Sequence, residues 1–110
     1  MSSAREPELE IGDEDAERAL LADTAHLIDV REEWEFRRRR VPGATLVPLA
    51  QLPQRATSLP RDKRLLVICE HGNRSLAAAE YLRRVGFGDA VSVRGGTAAW
   101  AANDRAVEQG

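Results

Sequence analysis

The sequence predicts an α/β domain built on a parallel β-sheet with helices on both faces. Short apolar runs alternate with segments of helical periodicity along the chain, which is the pattern of repeated strand–helix–strand units. The most apolar run, LLVIC at 65–69, is typical of a buried central strand. A length of 110 residues fits one domain. We therefore expect a single domain over residues 8–110, after a disordered lead-in at 1–7.

The remaining strands are predicted from shorter apolar runs bounded by turn residues. LEI at 9–11 indicates a short edge strand, because it is brief and follows a polar segment. The other predicted strands are HLIDV at 26–30, ATLVPL at 44–49 and DAVSV at 89–93. A turn at VPGA separates the second and third of these, since proline and glycine both favour turns.

Helices are predicted between these strands. Segment 13–23 indicates a helix with Asp13 as its N-cap, because acidic residues in a first turn are stabilised by the helix dipole. REEWEFRRRR has helical character, and we expect Trp34 and Phe36 to anchor it through apolar contacts. Two prolines allow only a short helix before Pro60. The two remaining helices follow the motifs EHGNRS and RGG, and the second of them carries Trp100.

Composition excludes several classes of function. The formal net charge of -2 gives no electrostatic footprint for nucleic acid or a membrane surface. One cysteine excludes an internal disulfide, and His26 and His71 match no metal-ligand spacing with it, so neither a metal nor another cofactor is expected. The start of the chain lacks the pattern of a signal peptide, and no apolar run could span a bilayer, so we expect a cytoplasmic protein.

The candidate reactive residue, Cys69, lies in the segment LLVIC-EHGNRS-LAAAEYLRR. This segment places Cys69 at the C-terminal end of the central strand. Ligands of open parallel sheets bind at that edge. Gly72 lets the following loop curl, so that successive backbone N–H groups point at one centre and form an anion-binding nest before a helix. Ser75 is expected as the N-cap of this helix.

A thiol in such a nest is predicted to be nucleophilic. Helix N-termini and nearby cations lower a cysteine pKa from about 8.5 into the range ~3.5–7.5, and Arg74 supplies a permanent charge. The alternative is that Cys69 is an ordinary buried core cysteine. The coincidence of strand end, glycine, arginine and helix start favours a reactive site.

The segment CEHGNRS resembles the active-site loop of rhodanese-like proteins, with Cys69 at the persulfide position. Three other blocks resemble that family in the same order: LIDVREEWEF, RRVPGATLVPL and VRGGTAAW. Together they cover roughly residues 8–102. The resemblance implies a five-stranded parallel sheet flanked by helices, and a single-domain thiosulfate sulfurtransferase.

The resemblance also implies a two-step reaction without a cofactor. The Cys69 thiolate would take a sulfane sulfur from a donor such as thiosulfate, releasing sulfite. The persulfide would pass its sulfur to cyanide or to a cellular thiol, a thioredoxin-like or other sulfur-relay protein being one option. The residues expected to bind the substrate are Glu70, His71, Gly72, Asn73, Arg74 and Ser75. A structural pair that supports the end of the sheet is expected from Asp29 and Arg31.

Two alternative functions remain open at this point. Protein tyrosine phosphatases also carry a cysteine, a glycine and an arginine before a helix, but with five residues between cysteine and arginine, where this chain has four. A smaller loop fits a sulfur atom better than a phosphate. Rhodanese folds also serve as docking or sulfur-relay modules, often after losing the cysteine, which is present here.

The negative charge of Glu70, next to Cys69, is unfavourable for binding thiosulfate. A carboxylate beside the thiol repels a dianion, unless it points to solvent and is screened. The arginine run at 37–40 is interpreted as a solvated helix end, and an anion-steering patch is the alternative. His71 is expected to be a bystander in the loop.

Overall fold

A five-stranded parallel sheet forms the centre of the structure, a computed structural model that describes residues 8–110. The predicted lead-in at 1–7 lies outside the described residues. The strands are β1 (Glu10–Ile11), β2 (Ala25–Asp29), β3 (Thr45–Leu46), β4 (Arg64–Ile68) and β5 (Val91–Val93). Their order is β1-β5-β4-β2-β3, and all pairings are parallel. The predicted fold class is confirmed, with the apolar run that ends at Cys69 at its centre.

Helices cover both faces of this sheet. They are α1 (Asp13–Leu21), α2 (Glu33–Arg38), α3 (Leu52–Arg55), α4 (Asn73–Arg84) and α5 (Gly96–Ala102). Single 3₁₀ turns precede and follow α3, because two prolines limit that segment to short helical pieces. Within residues 8–110, every helix is too short or too polar to cross a membrane.

The central strand β4 contributes to two hydrophobic clusters because successive side chains point to opposite faces. Leu65 and Val67 pack with Leu82 of α4 on one face. Leu66 and Ile68 pack with Trp100 of α5 on the other. Burial on both faces fixes the register of β4, and therefore the position of the residues that follow its C-terminal end.

Several local predictions are wrong, each for a physical reason. Asp13 is the first residue of α1 and not its N-cap, which is Gly12; the Asp13 carboxylate instead accepts a hydrogen bond from Asn103. Trp34 is not a core anchor, since it is 61% exposed on α2. The strands predicted at 44–49 and 89–93 are shorter, because few of their residues find a partner strand.

Helix α2 begins with a capping box, which was not predicted from the sequence. The Glu32 side chain accepts a hydrogen bond from the backbone of Glu35, and the Glu35 side chain accepts one from the backbone N–H of Glu32 over 2.9 Å. This reciprocal pair fixes the position of Glu35 on the first turn.

Candidate active site

Cys69 follows the central strand β4 and is 1% exposed. Its carbonyl oxygen accepts the backbone N–H of Thr97 over 2.9 Å, and the carbonyl of Glu70 accepts that of Ala98 over 3.0 Å. The first turn of α5 therefore holds the backbone that carries the thiol. Gly96 makes this contact possible, since a Cβ built there would lie 2.3 Å from the Cys69 carbonyl oxygen.

The Sγ of Cys69 accepts two backbone hydrogen bonds. They come from the N–H of Gly72 over 3.1 Å and from the N–H of Ser75 over 3.2 Å. Gly72 has a φ of 103°, a left-handed conformation that favours glycine, and it turns the loop back toward the sulfur. The structure thus places a backbone nest around the sulfur, as the loop motif predicts.

The prediction that Ser75 caps helix α4 is wrong. The N-cap is Gly72, and α4 already begins at Asn73, so Ser75 is the third residue of the helix. The first helical hydrogen bond is donated by Leu76, which leaves the Ser75 N–H without a helical partner and free to bind the sulfur.

A buried pair of hydroxyl groups continues from the sulfur. The Oγ of Ser75 lies 3.3 Å from the Cys69 Sγ and 2.7 Å from the Oγ of Ser92 on β5. Both serines are fully buried. Ser92 was missed by sequence reasoning, although a polar residue between two valines of a buried strand needs a hydrogen-bond partner and could have signalled a site.

Arg74 is held by a residue that the sequence did not single out. Its guanidinium donates two hydrogen bonds to the Glu35 carboxylate, over 2.8 and 2.9 Å. The hydrogen bonds from Arg74 lower the pKa of Glu35 from 4.5 to about 2. Helix α2 is thereby joined to the first turn of α4, beside the loop that carries Cys69.

The carboxylate of Glu70 is neutralised by two arginines. Arg31 and Arg39 each donate to one of its oxygens, over 3.1 Å in both cases. Arg31 is 2% exposed and also donates to Asp29 over 2.9 Å, so the expected pair of Asp29 and Arg31 is present next to the loop. The structure therefore turns Glu70 toward arginines, which compensate the charge that would otherwise oppose the thiolate.

The remaining residues predicted for the site, His71 and Asn73, have exposed side chains. Of the arginine run, Arg38 is exposed as expected of a solvated helix end, whereas Arg39 binds Glu70. Among residues 8–110, no group of three His, Cys, Asp or Glu side chains is placed to hold a metal ion.

A cavity of about 540 Å³ borders the loop at Glu70. It extends along α2, where the exposed Trp34, Arg38 and Arg39 line it, and Gln109 of the C-terminal segment also lines it. This volume lies within the roughly 300–1,000 Å³ typical of small-molecule sites.

Comparisons with known proteins identify relatives of this chain. The family model described as rhodanese-like domain matches residues 13–103. A sulfurtransferase of Allochromatium vinosum is 36% identical over 83 residues, which cover 74% of this chain and 78% of that protein. A thiosulfate sulfurtransferase, GlpE, of Pseudomonas savastanoi pv. phaseolicola is 36% identical over 85 residues, covering 77% and 80% of the two chains. The crystal structure of a rhodanese-related protein from Thermoplasma volcanium is 31% identical, with a TM-score of 0.86 over 94% of this chain and all of the other.

Proposed function

Because the chain belongs to the rhodanese-like domain family, we propose that it is a sulfurtransferase that carries sulfur as a persulfide on Cys69. The observation that carries this proposal is the pair of backbone N–H groups, from Gly72 and Ser75, that converge on the Sγ of Cys69. Such donors stabilise negative charge on sulfur, which both a thiolate and a persulfide bear.

The proposed reaction has two displacement steps. In the first, the Cys69 thiolate attacks the sulfane sulfur of a donor such as thiosulfate; a new S–S bond forms, and sulfite leaves with the electron pair of the broken one. In the second, a thiol or cyanide attacks the outer sulfur, and the Cys69 thiolate is regenerated. The sequence contains one cysteine, so a different molecule must accept the sulfur.

The neighbouring residues have separate roles in this proposal. Backbone N–H groups of the loop would hold the outer sulfur of the persulfide, and the Ser75 hydroxyl would donate to the inner one. Arg74, which is paired with Glu35, would help to hold the donor at the loop. Asp29 and Arg31 would position Glu70 and hold the end of the sheet. A thiol on a small molecule or on a sulfur-relay protein would be the acceptor.

The formation of thiocyanate from thiosulfate and cyanide tests this proposal. Turnover by the wild-type protein, lost in Cys69→Ser and retained in Ser58→Ala, would support it; Ser58 is an exposed residue remote from the loop in sequence, and its hydroxyl donates to the carbonyl of Arg55. A sulfur-relay module would instead load Cys69 without turnover to cyanide. A phosphatase would release p-nitrophenol from its phosphate ester, and this result would contradict the proposal.

A further inference from the structure

Two glutamates form ion pairs with the arginines beside the loop that begins at Cys69. Glu35 binds both terminal nitrogens of Arg74, and Glu70 bridges Arg31 and Arg39. Neither carboxylate is freely solvated, since the side chains of Glu35 and Glu70 are 11% and 25% exposed. The ion pairs of both glutamates are therefore partly shielded from water, unlike fully exposed ion pairs, which contribute little to stability.

These contacts leave the loop with no local excess of positive charge. Three guanidinium groups are matched by three carboxylates, because Asp29 also binds Arg31. A dianion such as thiosulfate must displace a carboxylate or approach it, and like charges in a partly buried site repel strongly. An incoming donor with one charge or none meets a smaller repulsion.

The cavity along α2 offers space for a larger donor. Its volume of about 540 Å³ far exceeds what thiosulfate needs. Trp34, 61% exposed, offers an apolar surface at this cavity. Arg38 lines the same cavity and has no ion-pair partner among residues 8–110, so one uncompensated positive charge is available there.

We propose that Glu35 and Glu70 are specificity-determining residues that make an organic persulfide, R–S–SH with at most one negative charge, a better donor than thiosulfate. This inference rests on the proposed function. The Cys69 thiolate attacks the outer sulfur of R–S–SH, the bond between the two donor sulfurs breaks, and R–S⁻ leaves with the electron pair. The proton stays on the transferred sulfur, so the product is the Cys69 persulfide and no oxidant is needed.

Initial rates of sulfur loading on Cys69, measured by intact-protein mass spectrometry, test this proposal. The donors are thiosulfate and the persulfide of 2-mercaptoethanol, each over a concentration series. The variants are Glu35→Gln and Glu70→Gln, with Glu33→Gln as the matched control. Glutamine at position 35 preserves the acceptor of the capping box. Glu33 lies on the same helix but pairs with Arg37 at the surface, where both side chains are more than 60% exposed.

The wild-type protein should load from the persulfide with the higher kcat/KM. Glu35→Gln and Glu70→Gln should each lower the KM for thiosulfate about fivefold, the effect of removing a charge interaction of ~1 kcal/mol, and leave the persulfide KM within about twofold. Glu33→Gln should change neither. The two glutamine variants lie on different elements, so one remains informative if the other does not fold.

Four results would overturn the proposal. A wild-type preference for thiosulfate contradicts it directly, and equal changes for both donors would show that the glutamates act only on the structure. If neither donor adds sulfur to Cys69, the proposed function fails and this inference fails with it. Loading from both donors, with the donor preference unchanged by the variants, defeats only this inference.

Discussion

The backbone N–H of Ser75 donates to the Sγ of Cys69 over 3.2 Å, while the hydroxyl of the same serine lies 3.3 Å from that sulfur. Ser75 therefore places a backbone N–H donor and a hydroxyl group, which can donate or accept, beside one atom from a single position in the first turn of α4. The backbone donor depends on where the helix begins, and the hydroxyl donor depends on the side chain alone. This separation makes the contribution of the side chain measurable.

Ser75→Ala should keep the fold and the backbone donor but slow sulfur loading on Cys69 about tenfold or more. Hydrogen bonds to charged groups contribute about 1.5–3 kcal/mol, and ~1.4 kcal/mol corresponds to a factor of ten. The initial rate of persulfide formation measures this effect, with Ser58→Ala as a control for an exposed hydroxyl. An unchanged rate in Ser75→Ala would show that the backbone N–H groups suffice.

Gly96→Ala should destabilise the protein by about 3 kcal/mol or more. The residue has a φ of 63°, and a Cβ there would lie 2.4 Å from the Glu70 carbonyl oxygen, which is backbone and cannot move aside cheaply. Urea unfolding measures the loss. Gly88→Ala is the matched control, because nothing lies within 4 Å of its Cβ position. Equal stability of the two variants would refute the close approach of α5 to the loop.

Asp29→Asn should lower the free energy of unfolding by about 3 kcal/mol, because removing one partner of a buried ion pair leaves the other charge poorly compensated. Asp29 and Arg31 are 0% and 2% exposed, and Glu70 remains as a second partner of Arg31. Asp15→Asn removes an exposed partner of Arg18 and should change stability by less than about 1 kcal/mol. Urea denaturation of both variants provides the comparison, and a loss of similar size in both would contradict this account.

The lowered pKa of Glu35 predicts a specific pH dependence of stability. Its pKa falls from 4.5 to about 2 on folding, so the stabilisation is fully present above pH 4.5 and is lost as the pH falls through about 2. The wild-type protein should exceed Glu35→Gln in unfolding free energy by about 1–2 kcal/mol near neutral pH, a value reduced by screening of the 38% exposed Arg74.

This difference between wild type and Glu35→Gln should shrink steadily between pH 4.5 and pH 2. Chemical denaturation at a series of pH values follows it, with Glu33→Gln as the surface control. A difference that stays constant down to pH 2 would mean that Glu35 keeps its ordinary pKa.

The fold and the loop that begins at Cys69 could be predicted from the sequence because their signals are local. The apolar run before Cys69 and the glycine and arginine after it are neighbours in the chain, so strand end, loop and helix start could be inferred together. The start of α4 was misplaced, since Gly72 in a left-handed conformation lets the helix begin before Ser75.

The side-chain contacts around Cys69 could not be predicted because the residues that form them are distant in sequence. Glu35 and Arg74 are separated by 39 residues, and Ser75 and Ser92 by 17. Periodicity places such residues on an element but does not show which element they face. Trp34 was expected to be buried because it is large and apolar, yet α2 lies at the rim of a cavity and leaves it exposed.

The central claim is that Cys69 carries sulfur, and the mass of the intact protein after exposure to a sulfur donor tests it most directly. The wild-type protein should gain the mass of one sulfur atom from thiosulfate or polysulfide, a thiol should remove that sulfur, and Cys69→Ser should gain nothing. A wild-type mass unchanged by every donor, or an equal gain in Cys69→Ser, would contradict the account.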